Sequence, residues 1–167
     1  MSRPDVLTIW IALSPSRRTN GAMKMISGSH KLEQLPHTDT FEAGNLLTRG
    51  QKIDHQVADE DVAWIELEPG EASVHHVRII HGSEPNTGPD RRIGLAIRFI
   101  PTDLTQVNGI KDYATLVRGH DEYNHFEHEP CPMVSLGKSE IETHTRIADE
   151  SFKLFYQGTD REPKFGE

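Results

Sequence analysis

Short apolar runs broken by turns dominate the first hundred residues, and helical periodicity is absent there. Leu7-Thr8-Ile9-Trp10-Ile11-Ala12-Leu13 is dense in β-branched and aromatic residues and lies between Pro4 and Pro15, which predicts a buried strand. Asn20-Gly21 marks a turn, and Ala22-Met23-Lys24-Met25-Ile26 predicts a second short strand. The pattern resumes at Val62–Leu67. After the turn Glu68-Pro69-Gly70-Glu71 it runs from Ala72 to His81. A turn-rich stretch, Gly82 to Asp90, then feeds the run from Arg92 to Ile100, which Pro101 stops. Several short strands with no helix between them predict a mainly β sandwich or barrel.

The rest of the chain is patterned differently. Residues 27–60 are polar and lack a sustained period, which predicts a long surface loop, a common place for function. Residues 103–138 read as an irregular extension. Ser139 with Glu142 three residues on matches a capping box, and Ile141, Ala148, Phe152 and Phe155 follow at roughly helical spacing. A helix over 139–158, packed on the sheet and ended by Gly158, is expected, with residues 159–167 frayed. The 167 residues suit one domain, with a β core over 1–102.

Composition narrows the function classes. A net charge of −8 disfavours nucleic acid as a partner, because phosphate repels such a surface. No apolar run is long enough to span a bilayer, and the first residues lack a signal-peptide layout, so a cytoplasmic chain is expected. Cys131 is the only cysteine, which rules out an internal disulfide and a thiolate zinc cluster. Ten histidines make that residue type the one to follow.

The chemistry concentrates in His81-Gly82-Ser83 and the Arg92 that follows. Treated as one strand, the run ending at His81 places His75, Val77, Ile79 and His81 on one face. In the next run Arg92, Gly94, Ala96 and Arg98 share a face, and Ile93, Leu95, Ile97 and Phe99 share the other. The bulky aliphatic face reads as the core face. The opposite one reads as open volume, left by Gly94 and Ala96, beside the Arg92 guanidinium. A planar guanidinium with room beside it suits bidentate capture of a carboxylate. Singly, each residue has an ordinary explanation: a structural histidine, a turn serine, a solvated arginine. His75 fits equally a pocket position or a packing one.

In this order the residues resemble the phytanoyl-CoA dioxygenase family. His81-Gly82-Ser83-Glu84-Pro85-Asn86 with Arg91-Arg92-Ile93-Gly94-Leu95-Ala96-Ile97-Arg98 is similar to that family's distal motif. Trp10-Ile11-Ala12-Leu13, Asn20-Gly21-Ala22-Met23, Ser27-Gly28-Ser29-His30 and Leu67-Glu68-Pro69-Gly70-Glu71-Ala72 resemble further family segments in the same order. The resemblance implies a double-stranded β-helix, a jelly-roll or cupin-like barrel, that holds Fe(II) through two histidines and a carboxylate. That set leaves positions for the cosubstrate 2-oxoglutarate and for O₂, to hydroxylate an unactivated C–H bond of a small organic substrate. It implies that His81 is a metal ligand. Arg92, 92 − 81 = 11 residues later, and Ser83 would hold the far carboxylate of 2-oxoglutarate.

One part of the pattern is missing. The family's His-x-Asp motif would precede Leu7, yet the six residues there contain no histidine, and Asp5 is their only carboxylate. His37-Thr38-Asp39 has the right letters but falls in the long loop, and His120, His125 and His128 read as surface residues. The expectation is therefore an oxygenase domain incomplete at its N-terminus. It is a fragment, a chain completed by a partner, or a relative without turnover. The alternative function is a module that keeps the carboxylate pocket without iron. A zinc-binding sandwich rests on histidine content alone.

Overall fold

The computed structural model describes residues 1–41, 49–55, 58–107, 109–156 and 158–160. Ten strands and one helix follow in chain order among them: β1 Leu7–Ala12, β2 Met23–Ile26, β3 His37–Asp39, β4 Gln51–Ile53, β5 Val62–Ile65, β6 Ala72–His76, β7 His81–Ser83, β8 Gly94–Phe99, β9 Tyr113–Ala114, β10 Glu127–His128 and α1 Lys138–Tyr156. The protein is mainly β with a C-terminal helix, and its sheets are open. The described residues fall into two compact units. One is built from Pro4–Pro36 and Ile53–Pro101, the other from Met1–Arg3, His37–Lys52 and the chain from Thr102 onward.

The first unit contains two three-stranded antiparallel sheets, ordered β6-β1-β8 and β5-β2-β7. Trp10 lies opposite Ala96 on one side and Ser73 on the other, and Thr8 lies opposite Arg98 and His75. Opposed residues share a face. The inner face of the first sheet therefore presents Thr8, Trp10, Ala12, Ser73, His75, Gly94, Ala96 and Arg98. Trp10 and Ala12 pack on Met23 and Met25 of the second sheet, with Ile65, Leu67 and Ile79 around them. Lys24, between the two methionines, points away from this core, which is the alternation of a strand covered on one side.

The aliphatic face of β8 is the reverse of the sequence expectation. Its bulky residues lie on the outside: Ile97 is 37% exposed, Leu95 48% and, across β1, Val74 61%. Gly94 and Ala96 face inward because the Trp10 indole occupies the volume above them; a Cβ on Gly94 would lie 2.1 Å from Trp10 Cζ2. The open space expected beside Arg92 is thus filled by an aromatic ring.

The expected single strand from Ala72 to His81 is two strands in different sheets. After His76 the chain turns: the Arg78 N–H donates to His76 Nδ1 at 3.1 Å and the Ile79 N–H to the His76 carbonyl at 3.0 Å. The side chain supplies an acceptor that ends the ladder.

In the second unit the polar loop contains more structure than its composition suggests. β3 pairs with β4, and Asp39 accepts from Arg49 and Gln51. Residues 42–48 and 56–57 of that loop lie outside the described residues. The irregular extension includes the short parallel pair β9–β10. Helix α1 starts one residue early, and Gly137, not Ser139, precedes it; the Gly137 carbonyl accepts the first helical bond from Ile141 at 2.9 Å. The capping box does not form, and Glu140 instead accepts from the Met133 and Val134 N–H groups. No residue of α1 is buried; the Tyr113 hydroxyl donates to Glu150 at 2.7 Å, and Ser151 Oγ donates to Asp112 at 3.2 Å. Gly158 takes a left-handed φ of 79°, as the sequence expects of a helix stop. The expected frayed tail falls, from residue 161, outside the described residues.

Candidate functional site

His81 and Ser83 stand at alternate positions of β7, on the same face of the second sheet as Met25 and Met23, and both are exposed. The start of β7 is fixed by Ser29. Its buried hydroxyl donates to the Ile26 carbonyl at 2.8 Å and accepts from the Ile80 N–H at 2.9 Å. His81 Nδ1 lies 2.8 Å from the Ile79 carbonyl. A carbonyl only accepts, so Nδ1 donates, and in the neutral imidazole the lone pair lies on Nε2. A backbone carbonyl that sets the tautomer in this way is the usual support of a metal-binding imidazole.

Arg92 enters just before β8 and is bracketed by one side chain. Ser14 Oγ accepts from the Ile93 N–H at 2.8 Å and donates to the Arg91 carbonyl at 3.1 Å. Upstream, Asn86 closes the turn after β7. Its side chain donates to the Asp90 carbonyl and accepts from the Gly88 N–H, both within 2.9 Å. The half-buried guanidinium sits 5.2 Å from the Trp10 ring centroid. Burial pushes its pKa below the usual arginine value, a sign of a cation short of solvent. Neither Arg92 nor the Ser83 hydroxyl forms a hydrogen bond or ion pair with another described residue.

His75 comes next to His81 despite belonging to the other sheet, with ring centroids 5.9 Å apart. Burial pushes the His75 pKa down, and the charges of His81 and Arg98 push it the same way. The structure therefore brings half-buried His75 beside exposed His81 and puts exposed Arg98 on the same face of the first sheet as His75, with Arg92 over the Trp10 ring. Trp10, Ser14 and Ser29 carry no site role in the sequence pattern; the signal for Trp10 and Ser14 is the pairing of β1 with β8, and for Ser29 the approach of Ile26 to Ile80, neither of which a local pattern displays.

The other candidates are engaged elsewhere. Asp39 of His37-Thr38-Asp39 is held by Arg49, whose hydrogen bond keeps the carboxyl below the usual range. His128 Nε2 contacts Asp121 at 3.0 Å, and His125 Nδ1 contacts the Leu104 carbonyl at 3.1 Å. No three His, Cys, Asp or Glu side chains among the described residues are grouped closely enough to hold a metal ion. A cleft between Asp5, Leu7, His76 and Phe99–Pro101 includes none of His81, Ser83 and Arg92. No helix among the described residues is long and apolar enough to cross a membrane.

The family model described as phytanoyl-CoA dioxygenase (PhyH) matches residues 1–94. A Stutzerimonas stutzeri protein named as a probable alpha-ketoglutarate-dependent hypophosphite dioxygenase is 32% identical over 111 residues, 65% of this chain and 38% of its own length. The 1-deoxypentalenic acid 11-beta-hydroxylase of Streptomyces arenae is 33% identical over 88 residues, 52% of this chain and 31% of its own. Among solved structures, the apo form of the non-heme monooxygenase ThoJ superposes with a TM-score of 0.77 at 28% identity, over 91% of this chain and 54% of that one. The chain thus spans about a third of these curated relatives and about half of the solved structure.

Proposed function

Since the chain belongs to the phytanoyl-CoA dioxygenase family, we propose that it serves an Fe(II)- and 2-oxoglutarate-dependent oxygenase that uses O₂ to hydroxylate a small organic substrate at an unactivated C–H bond. The observation that carries this reading is the preparation of His81 and Arg92. One imidazole is locked with Nε2 available, and one guanidinium is half-buried with no carboxylate partner among the described residues. Arg92 and Ser83 would hold the far carboxylate of 2-oxoglutarate, as a fixed fork and a hydroxyl suited to a carboxylate. His81 would supply one metal ligand. A single imidazole does not hold Fe(II) against water, so the described residues alone do not make an iron site, and no step is assigned to the metal. The chain's own contribution is to bind and orient the cosubstrate.

The same reading extends the two open sheets to a double-stranded β-helix, completed by further polypeptide from the same protein or from a partner chain. Its support is the exposed aliphatic outer face of β6-β1-β8 together with the partial span of the relatives. The two relatives named for substrates act, by name, on hypophosphite and on 1-deoxypentalenic acid. Family and relatives favour the oxygenase over a carboxylate-binding module without iron.

Isothermal titration of the full chain with 2-oxoglutarate tests the site, and Arg92→Ala should abolish the binding. Unchanged affinity in that variant would overturn the assignment. A weak visible band on anaerobic addition of Fe(II) with 2-oxoglutarate to the chain together with the polypeptide that completes its fold distinguishes the oxygenase from the binding module.

A further inference from the structure

Arg98 is a second arginine on the inner face of the first sheet, exposed to solvent and without a part in cosubstrate binding. In this acidic chain other arginines sit on carboxylates, Arg3 on Asp103 and Arg17 on Glu68 for example. Arg98 forms no hydrogen bond or ion pair with any described residue. Its place in the sheet is specific. Thr8, buried on the central strand, has Arg98 directly opposite on β8 and His75 directly opposite on β6. Ser73 Oγ lies 3.5 Å from His75 Nδ1, which leaves the imidazole Nε2 pointing to other partners. His81 adjoins the same group through His75.

We propose that Arg98, His75 and Thr8 form a subsite for an oxyanionic group of the substrate, a carboxylate or a tetrahedral oxyanion, so that the substrate class is a small acid. A guanidinium fork, an imidazole N–H and a hydroxyl on adjacent strands are hydrogen-bond donors for such a group, and no acidic side chain of the sheet's inner face opposes them. The subsite is separate from the cosubstrate position. Arg92 precedes β8 and Arg98 is its fifth residue, six positions further on, and the Trp10 indole, opposite Ala96, packs over Gly94 between them. The proposal rests on the reading of His81 and Arg92 as the cosubstrate side of the site.

The full chain, saturated with 2-oxoglutarate, is titrated calorimetrically with inorganic phosphate and separately with hexanoate. One of these anions should bind, and the preferred one identifies the group as tetrahedral or carboxylate. Arg98→Gln should weaken that anion about tenfold or more, the loss of a charge-assisted bond, while leaving 2-oxoglutarate within about twofold. Arg98→Lys, which keeps the charge, should retain part of the affinity and controls for folding. Arg92→Gln should show the opposite selectivity. No anion binding by the parent chain, equal binding by Arg98→Gln, or a loss of 2-oxoglutarate in Arg98→Gln as large as in Arg92→Gln would each overturn the subsite. If the parent chain binds the anion through Arg98 but does not bind 2-oxoglutarate, the cosubstrate reading fails and the anion site stands.

Discussion

Gly94→Ala adds one methyl group, and the structure makes its consequence calculable. The new Cβ would lie 2.1 Å from Trp10 Cζ2 and 2.3 Å from Cε2. Carbon atoms rest about 3.5–4.0 Å apart, so the indole must retreat by roughly 1.5 Å. It has little freedom to do so, because Trp10 is 8% exposed and packs on Ala12, Met23 and Met25. Overpacking of this kind costs about 1–3 kcal/mol. For a chain of this length that lowers the melting temperature by roughly 2–12 °C, at about 2–4 °C per kcal/mol. The displaced ring also ceases to support Arg92, whose guanidinium lies 5.2 Å from its centroid. A cation–π contact is worth about 0.5–2 kcal/mol, so 2-oxoglutarate affinity should fall by about twofold to thirtyfold. Circular-dichroism melting and calorimetric titration of the same samples measure both effects. Gly94→Ala with Trp10→Phe should recover part of the lost melting temperature, because the smaller ring vacates the clash. A single variant that melts with the parent chain and binds 2-oxoglutarate unchanged would refute the account of why this face of β8 is small.

Two further outcomes test the flanking structure. Arg49 holds the Asp39 carboxyl below the usual range, so the folded state favours the ionised form; this contribution to stability is present above the ordinary carboxylate pKa of about 4 and is lost as pH falls through the depressed folded value. Acid melting of Asp39→Asn should therefore be flatter than that of the parent chain below about pH 4, and identical profiles would contradict the pairing. On the outer face of β6-β1-β8, exposed Val74 and Ile97 flank Ile9. The chain should self-associate in sedimentation and bind a hydrophobic dye, and Val74→Glu with Ile97→Lys should reduce both; a monomeric, dye-silent parent chain would contradict the exposed face.

The strands were legible because their causes are local. β-branched and aromatic runs end at Pro4, Pro15 and Pro101, and Gly21 takes the left-handed φ of 86° that its turn needs. The sequence also singled out His81, Ser83 and Arg92, since a short motif and a fixed spacing encode them. Other features depended on pairing. The turn after His76 is made by an imidazole acceptor, which alternation counting does not register, so the Ala72–His81 run was read as one strand. Trp10 and Gly94 are 84 residues apart, and only the register of β1 with β8 shows that one fills the space above the other.

The misassigned face of β8 has a more general cause. Aliphatic density reports burial without saying against what. In β2, Lys24 between Met23 and Met25 marks a strand covered on one side. In β1 the run from Leu7 to Ala12 is apolar on both sides except for Thr8, the pattern of a strand covered on two. Trp10 and Ala12 account for the inner side of β1, where the second sheet packs. Leu7, Ile9 and Ile11, with Val74, Leu95 and Ile97 beside them, account for the other. The first sheet is therefore apolar on both faces. Its outer aliphatics form an exposed apolar surface, while its inner face mixes core residues with the candidate groups His75 and Arg98. Glycine and alanine at Gly94 and Ala96 follow from that division: a strand that admits the Trp10 indole between Arg92, which precedes it, and Arg98 has no room for larger side chains on that face.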